Sequence, residues 1–358
     1  MKVLINTSIL LKPLSGVGKY TYNLAKQFLR LRPDISYTFY RGYFTHRLLP
    51  PKTLRDLFPR NLCYPLANSI RKIMLHFSQL SEAFDLYFEP TSVPLNFKAR
   101  RIVSTVHDLS IFHYPDWHPR ERVEFFKKNF GKRILMADVI VTPSRYVQEE
   151  AVSLLNGKKL IISIPNGYDP DVFFPKPDSE EKNVILFVGT LEPRKNLGNL
   201  LNAFDSLPEY LRKEYRLVIC GPYGWRCEEL LGLLKKKRDS SVQYLGYVQE
   251  EDLAELYRTS KCLVYPSFYE GFGLPVLEAM ASGCPVIVSN RSALPEVCGE
   301  AVLYVDPYDV ESIRDAMIKV IEDSDLRTAL RKKGLERAKN FTWERSAEKY
   351  LEVFESLL

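Results

Sequence analysis

The sequence predicts an α/β protein built from two doubly wound parallel sheets, one in each half of the chain, that face each other across a cleft. Short apolar runs alternate with amphipathic helical patterns along most of the sequence, which is typical of strand–helix–strand units. A stretch rich in proline and turn residues, 165–177, separates the halves and indicates a linker. The 358 residues suffice for two domains at about 150 residues each.

In the first half, assigned as a domain over residues 1–170, the apolar runs are short and separated by polar segments. A helix is predicted over 19–31, and residues 45–80 have a weaker pattern that indicates an insertion with short helices. The predicted strands cover residues 3–6, 37–40, 86–88, 102–106, 139–142 and 160–164.

The second half, assigned over residues 171–340, restarts with a near-continuous hydrophobic run at 184–188, as expected of a strand buried on both faces. Residues 341–358 are assigned to a final helix. Further strands are predicted at 217–220, 242–245, 262–265, 285–289 and 302–305, with helices at 228–237, 251–259 and 274–281.

Composition indicates a protein that stays in the cytoplasm. Hydrophobic residues make up 46% and charged residues 26% of the chain, and no apolar run approaches the ~20 residues of a membrane span. The apolar stretch at the N-terminus is too short for a signal peptide. The six cysteines form no CxxC pair and are interpreted as reduced, buried thiols.

The net charge of +6 conceals an asymmetry between the halves. Residues 1–170 hold 25 Lys and Arg against 13 Asp and Glu, whereas the remainder holds 25 against 31. A basic first half could meet an anionic membrane or a phosphorylated ligand, and an ordinary solvated surface is the alternative. Nucleic acid is disfavoured as a partner because no recognised binding module accompanies the charge.

A glycine turn follows the first predicted strand at Gly16 and Gly18. It satisfies neither the Walker pattern, because of Pro13 and Tyr20, nor the Rossmann fingerprint, because Thr21 occupies the third small position. The backbone N–H groups at the start of the following helix can still hold an anion. The turn is therefore a candidate phosphate contact.

Two adjacent cations, Arg194 and Lys195, follow the strand at 184–188 almost directly. This places them at the carboxyl end of a parallel strand, where open α/β sheets bind ligands. Surface cations at a helix start are the alternative, which the helix dipole disfavours. The pair is interpreted as a site for a diphosphate.

Two glutamates are separated by seven residues around a glycine-rich turn, with Glu270 before a predicted helix and Glu278 within it. The surrounding residues are small and apolar, so Glu278 is expected to point inward and to need hydroxyl or amide donors. Sugar and ribose hydroxyls supply such donors. In the first half, His107 and Asp108 end the strand at 102–106, although an isolated histidine is more often structural.

The Glu270-X7-Glu278 pair, the adjacent Arg194 and Lys195, and the Gly16–Gly18 turn resemble the retaining glycosyltransferases of family four, which have the GT-B fold of two Rossmann-like domains. The resemblance implies a nucleotide diphosphate-sugar donor and no metal or other cofactor. The pattern Asp169-Pro170-Asp171 is therefore interpreted as a turn and not as a metal site.

The resemblance also implies roles for individual residues. Glu270 would position the donor sugar and Glu278 would hold the ribose, while Arg194 and Lys195 would bind the diphosphate. His107 would contact the donor sugar near the reacting centre. Further residues implied in donor binding or in the reaction are Asp108, Gly16, Gly18, Gly221, Val248, Gly271, Phe272, Gly273 and Leu274. Trp117 and His118 are candidates for the acceptor site, and the final helix is expected to cross back to the first domain.

The string at 191–196 is similar to bacterial mannosyltransferases of surface polysaccharide assembly. The predicted donor is therefore GDP-mannose, with UDP-glucose, UDP-GlcNAc and deoxyhexose donors as alternatives. The predicted acceptor is a lipid-linked or polysaccharide glycan, reached by peripheral contact with an anionic membrane. A nucleotide-sugar epimerase and a non-catalytic nucleotide-sugar-binding protein are the alternative functions.

Overall fold

The structure is a computed structural model that describes residues 1–11, 16–51, 84–177, 179–227, 230, 232, 234 and 241–358. Most of the predicted helix at 228–237, most of the predicted insertion at 45–80, and Cys63 lie outside the described residues. Contacts divide the chain into two compact units. Unit 1 comprises Met1–Leu109, Glu124–Asn166 and Trp343–Leu358, and unit 2 comprises Ser110–Val123 and Gly167–Thr342.

Unit 1 contains a sheet whose described strands run in the order β3-β2-β1-β4-β5-β6-β7. All neighbours are parallel except β3, a two-residue edge strand that pairs antiparallel with β2 and that the sequence did not predict. The strands are β1 Lys2–Asn6, β2 Ser36–Tyr40, β3 Phe44–Thr45, β4 Phe84–Glu89, β5 Ala99–Thr105, β6 Val139–Thr142 and β7 Leu160–Ser163.

The last helix of the chain packs within unit 1 and completes its core. Phe354 lies 5.4 Å from Phe28 and 5.6 Å from Phe88, measured between ring centroids. The hydroxyl of Tyr350 is hydrogen-bonded to Tyr20, and both side chains are buried. The helices that include residues of this unit are α1 Gly16–Leu31, α3 Arg120–Ile134, α4 Arg145–Leu154 and α12 Trp343–Ser356.

Unit 2 contains a fully parallel sheet in the order β10-β9-β8-β11-β12-β13. Counted from its own first strand this is the order 3-2-1-4-5-6 of the doubly wound fold. The strands are β8 Lys182–Val188, β9 Arg216–Cys220, β10 Val242–Gly246, β11 Ser260–Tyr265, β12 Val286–Ser289 and β13 Leu303–Val305.

The sheet of unit 2 is buried on both faces, because alternate residues of β8 enter two separate apolar clusters. Ile185 and Phe187 belong to one cluster, and Leu186 and Val188 to the other. This explains the uninterrupted hydrophobic run in the sequence. The helices of the unit are α2 Ser110–His113, α5 Leu197–Asp205, α6 Glu209–Glu214, α7 Glu250–Thr259, α8 Leu274–Ala281, α9 Leu294–Cys298, α10 Val310–Glu322 and α11 Ser324–Ala338.

Two sequence assignments at the domain boundary differ from the structure. Residues 110–123, assigned to the first domain, belong to unit 2, because the indole N–H of Trp225 donates to the Trp117 carbonyl at 2.7 Å. The segment interpreted as a linker is also packed on unit 2. Phe173 is buried there against Tyr257, and Arg258 donates to backbone carbonyls on either side of it.

No helix among the described residues is long and apolar enough to cross a bilayer. The five described cysteines, Cys220, Cys227, Cys262, Cys284 and Cys298, are buried and unpaired. Burial raises the pKa of Cys262 to about 12 and that of Cys298 to about 12, so both remain protonated thiols at neutral pH.

Candidate functional site

The central feature of unit 2 is the pair of neighbouring strands β8 and β11, where the strand order reverses. Chain segments leaving two such strands diverge to opposite faces of the sheet and leave a crevice at the carboxyl ends. The turn Pro193–Lys195 follows β8, and Glu270 follows β11. The sequence-predicted Arg194, Lys195 and Glu270 therefore meet at the position where a doubly wound sheet binds its ligand.

The guanidinium of Arg194 lies between two carboxylates. Its Nε is 2.6 Å from Oε1 of Glu192, and its Nη1 is 2.8 Å from Oε2 of Glu270. Nη1 also donates to the carbonyl of Tyr269 at 3.1 Å. Only 17% of the Arg194 side chain is exposed, so the cation is fixed in both position and orientation.

The ammonium of Lys195 contacts the second oxygen of the same glutamate, with Nζ 2.6 Å from Oε1 of Glu270. It also donates to the hydroxyl of Tyr265, the last residue of β11. Burial lowers the pKa of Lys195, as does the nearby Arg194 charge, while Glu270 opposes both effects. One carboxylate thus holds two cations, one on each oxygen.

The carboxyl group of Glu270 is ionised in spite of its burial. Burial alone would raise its pKa, but the charges of Arg194 and Lys195 outweigh that effect and lower the pKa to about 2. The backbone is fixed as well, because the Glu270 amide donates to the hydroxyl of Ser292 at 2.8 Å. The Glu270 anion is therefore present at neutral pH, in direct contact with the side chains of Arg194 and Lys195.

The turn that carries the two cations is determined locally by its own sequence. Pro193 occupies the first position of the 3₁₀ turn, where its missing N–H costs no hydrogen bond. Asn196 ends the turn in the left-handed conformation with φ of 57°, which asparagine tolerates better than most residues. Its side-chain amide donates to the carbonyls of Pro266 and Pro307 at 2.9 and 2.7 Å, which ties the turn to the loops after β11 and β13.

The predicted anion-binding segment runs from Gly271 to Leu274 and leads into α8. Gly273 adopts φ of 104° at the N-cap of this helix, and a Cβ there would lie 2.7 Å from Leu294. Glycine is required at this position for both reasons. Within the first turn of α8, the Val276 and Leu277 amides donate to the Gly273 carbonyl at 3.0 and 3.2 Å, and Pro275 has no N–H. The anion-binding role of the Gly271–Leu274 amides stays a prediction.

Glu278 lies in α8 and points inward, as the sequence predicted, with 4% of the residue exposed. The hydroxyl of Tyr257, on α7, donates to its Oε2 at 3.3 Å. Val248, which precedes α7, packs against the apolar cluster that contains Tyr257. Glu278 thus lies in the helix that follows the glycine-rich turn after Glu270.

Gly221 follows β9 and lies against the backbone of Gly189, which follows β8. A Cβ on Gly221 would be 2.0 Å from the Gly189 carbonyl oxygen, and its φ of 140° is also unfavourable for other residues. The Gly189 amide donates to the Cys220 carbonyl at 2.9 Å. The loops that leave β8 and β9 can therefore approach this closely only because Gly221 lacks a side chain.

In unit 1, His107 follows β5 and is half-buried. Its Nε2 lies 2.8 Å from the Pro90 carbonyl, which can only accept, so Nε2 carries the proton. Burial lowers the pKa of His107, and the Pro90 hydrogen bond and the Asp108 charge oppose this only in part. The ring is therefore neutral at neutral pH, with Nδ1 as an acceptor.

The glycines near the N-terminus occupy a position different from the expected one. The helix predicted to begin at residue 19 begins at Gly16, so Gly16 and Gly18 lie in its first turn instead of in a preceding loop. The N–H groups of a first turn have no intrahelical acceptor, which retains an anion-binding capacity at this end of α1. Ser15, which opens the motif, lies outside the described residues.

The remaining candidates occupy well-defined places. Trp117 and His118 belong to unit 2, where Trp117 stacks on Phe268 with ring centroids 5.9 Å apart. Asp169 accepts a hydrogen bond from the Asp171 amide at 3.0 Å, which is the side-chain-to-backbone contact of a turn.

Two family profiles match consecutive parts of the chain. Residues 14–172 match Glycosyltransferase Family 4, and residues 169–337 match Glycosyl transferases group 1. An O-antigen chain mannosyltransferase B from Escherichia coli is 32% identical over the full length of both proteins. The chain belongs to glycosyltransferase family 4.

Other comparisons agree with this family-4 assignment. An O-antigen chain mannosyltransferase from Salmonella typhimurium, RfbU, is 34% identical over 61% of this chain and 60% of its own length. The fold resembles sucrose-phosphate synthase from Thermosynechococcus elongatus, with a TM-score of 0.77, 21% identity, and 99% and 98% of the two chains covered. WaaG, involved in lipopolysaccharide biosynthesis, gives 0.71 at 16% identity with 99% of each chain covered. The protein is a glycosyltransferase with two Rossmann-like GT-B units.

The structure adds three residues of this glycosyltransferase that sequence reasoning missed. Glu192 and Tyr265 contact the two cations, and Ser292 fixes the backbone of Glu270. Glu192 lies inside the string similar to mannosyltransferases, but the sequence does not indicate that its carboxylate contacts Arg194. Tyr265 and Ser292 carry no signal in the sequence, because only the fold brings them to the site.

Proposed function

We propose that this glycosyltransferase moves a mannosyl group from GDP-mannose to a lipid-linked or polysaccharide acceptor, with retention at the anomeric carbon and without a metal ion. The donor is supported by the full-length similarity to an O-antigen chain mannosyltransferase. The metal-independent chemistry is supported by the fixed cations Arg194 and Lys195. The sugar and base alternatives are the UDP-sugars and the deoxyhexose donors.

The observation that carries the proposal is the pair of cations at the carboxyl end of β8, held by Glu270 where the strand order reverses. As the bond between the anomeric carbon and the diphosphate breaks, negative charge grows on the leaving oxygen. Preorganised donors aimed at such charge act without the cost of reorganising solvent. Removing one of them typically costs about 2.7–4 kcal/mol of transition-state stabilisation.

Retention without a covalent intermediate is supported by the state of Glu270. Both of its carboxylate oxygens are engaged by cations, and its pKa is lowered to about 2, so its lone pairs are poorly available for attack on carbon. In the proposed front-face reaction the acceptor oxygen bonds to the anomeric carbon on the face from which the diphosphate departs. The acceptor proton passes to the leaving phosphate.

The other site residues are proposed to hold the rest of the donor. Glu278 is suited to accept hydrogen bonds from the ribose hydroxyls, and the amides of Gly271–Leu274 are suited to donate to phosphate and sugar oxygens. Gly221 and Val248 would flank the base. In unit 1, the neutral His107 is proposed to contact the donor sugar, and Asp108 to orient the acceptor or His107. Gly16 and Gly18 are proposed as anion contacts.

The basic charge of residues 1–170 supports a cytoplasmic enzyme that meets an anionic membrane surface peripherally, where a lipid-linked acceptor would be found. Attachment of this kind weakens as salt concentration rises.

The test is a calorimetric titration of GDP-mannose in the presence of EDTA, with the wild-type protein and with Arg194→Ala. We expect saturable binding by the wild type and a loss of at least tenfold in affinity in the variant. Arg212→Ala, an exposed arginine of the same unit, is the matched control and is expected to bind normally. Binding of a UDP- or dTDP-sugar in place of GDP-mannose would change the donor, and absence of any metal-free binding would contradict the proposal.

A further inference from the structure

The cluster around Arg194 contains as many negative as positive groups. Arg194 and Lys195 supply two positive charges, and Glu192 and Glu270 supply two negative charges, all within direct contacts of 2.6 to 2.8 Å. The Glu192 side chain is 2% exposed and that of Glu270 is 6% exposed. A leaving nucleoside diphosphate therefore meets cations whose charge is partly offset by the two carboxylates.

The two carboxylates are held differently. Glu270 uses both oxygens to bind cations, and its backbone is fixed by Ser292. Glu192 uses only Oε1, on Arg194, whereas its Oε2 is buried and has no hydrogen-bond partner in the part of the chain that the structure describes.

Another buried carboxylate of the protein accepts hydrogen bonds on both of its oxygens. Glu89, in unit 1, accepts from the amide and hydroxyl of Thr91 on one oxygen and from Asn6 and Tyr87 on the other. Glu192 is buried as well but has a single partner, so its arrangement costs stability that donors like those of Glu89 would recover. The position of Glu192 is thus poorly explained by stability and well explained by its effect on Arg194.

We propose that Glu192 is a positioning residue that orients the Arg194 guanidinium and cancels part of its charge, so that the nucleoside diphosphate product is released instead of being retained. Its Oε1 holds Nε, which directs the guanidinium plane toward Glu270. Its negative charge, fixed beside the diphosphate site, opposes a bound anion. This inference rests on the proposed function, in which a nucleoside diphosphate leaves at Arg194.

The test is Glu192→Gln, which keeps an acceptor oxygen for Arg194 and removes the charge. We expect GDP to bind about tenfold more tightly than to the wild type, a difference of about 1.4 kcal/mol. The rate of steady-state turnover should fall because release slows, while the single-turnover rate changes less. A purely structural role would weaken GDP binding and both rates together.

Glu192→Asp keeps the charge and is expected to bind GDP within about threefold of the wild type. Glu209→Gln, at an exposed glutamate of the same unit, is the matched control and should leave GDP affinity unchanged. The proposal is overturned if folded Glu192→Gln binds GDP no more tightly than the wild type. It is also overturned if that variant fails to fold, because Glu192 is then a structural residue.

The two proposals fail in different ways. If the wild-type protein binds neither GDP nor UDP, the proposed function is wrong, and so is the role of Glu192 that rests on it. If the wild type binds one of them and Glu192→Gln binds it equally well, the proposed function stands and only the role of Glu192 is lost.

Discussion

At the scale of single residues, Glu270 connects the stability of unit 2 to its chemistry. Its carboxylate is the common partner of Arg194 and Lys195. The sequence shows these two cations next to each other but on a different segment from Glu270. A buried carboxylate that holds two cations stabilises the fold through its charge. The same charge fixes the geometry that the reaction requires.

The contribution of Glu270 to the free energy of unfolding should depend on pH. The pKa of Glu270 falls from its ordinary value of 4.5 to about 2 on folding, so the unfolded chain takes up the proton first. A carboxyl group with a lowered folded pKa contributes stability above its unfolded pKa and loses it as the pH falls toward the folded value. The stability lost on Glu270→Gln should therefore be largest above pH 4.5 and shrink toward pH 2.

Urea unfolding followed by circular dichroism between pH 7 and pH 2.5 measures this difference in the free energy of unfolding. Glu209→Gln, whose exposed glutamate pairs only with a surface lysine in the described structure, should show little difference at any pH. If the difference in the free energy of unfolding between wild type and Glu270→Gln stayed constant across this range, the ion pairs with Arg194 and Lys195 would not lower the pKa of Glu270.

Residue types and spacing were enough to select Arg194, Lys195, Glu270 and Glu278 as candidates, because open α/β sheets bind ligands at the carboxyl ends of their strands and a buried carboxylate needs donors. They were not enough to find Glu192 as a contact. Whether its side chain turns toward Arg194 depends on the 3₁₀ turn at Pro193–Lys195, which is a matter of backbone geometry.

At the scale of elements, the site depends on close approach between the loops that follow β8 and β9. Gly221 supplies that approach, because its missing side chain leaves room for the Gly189 carbonyl. The sequence selected Gly221 for its resemblance to a nucleotide-binding segment. The structure adds a steric reason that holds in the absence of any ligand.

Replacing Gly221 by alanine should destabilise unit 2 by about 2–4 kcal/mol, through overpacking and an unfavourable φ. Gly198, in α5, has open space where a Cβ would lie and is the matched control; alanine there should be neutral or slightly stabilising. Thermal unfolding of both variants measures the contrast. Equal stability of the two would contradict the proposed packing of the loops.

Elements were predictable where hydrophobic periodicity is strong. Each strand predicted within the described residues is present, because buried parallel strands are continuous apolar runs. Helix α1 begins three residues before the predicted start, since glycines at 16 and 18 indicate a loop by propensity although a helix tolerates them in its first turn. The short β3 has too few residues to produce a pattern.

At the scale of the whole molecule, the two sheets followed from the alternation of strands and helices, and the return of the final helix to the first unit was expected from the family resemblance. The transfer of residues 110–123 to unit 2 was not expected. Residues 110–123 join unit 2 and residues 343–358 join unit 1, so neither unit is a continuous segment. Such exchanges depend on contacts between residues far apart in sequence, for example Phe354 with Phe28, which periodicity cannot report.

The central claim is that this family-4 chain catalyses transfer of a sugar and not its isomerisation or simple binding. The most direct measurement follows GDP-mannose labelled in the sugar, incubated with the protein, a bacterial lipid extract and EDTA. We expect label in the lipid-linked or glycan fraction, in α-linkage, with one GDP released for each mannose transferred. Conversion of the label to another free nucleotide sugar without release of GDP, or bound donor with no turnover, would contradict the account.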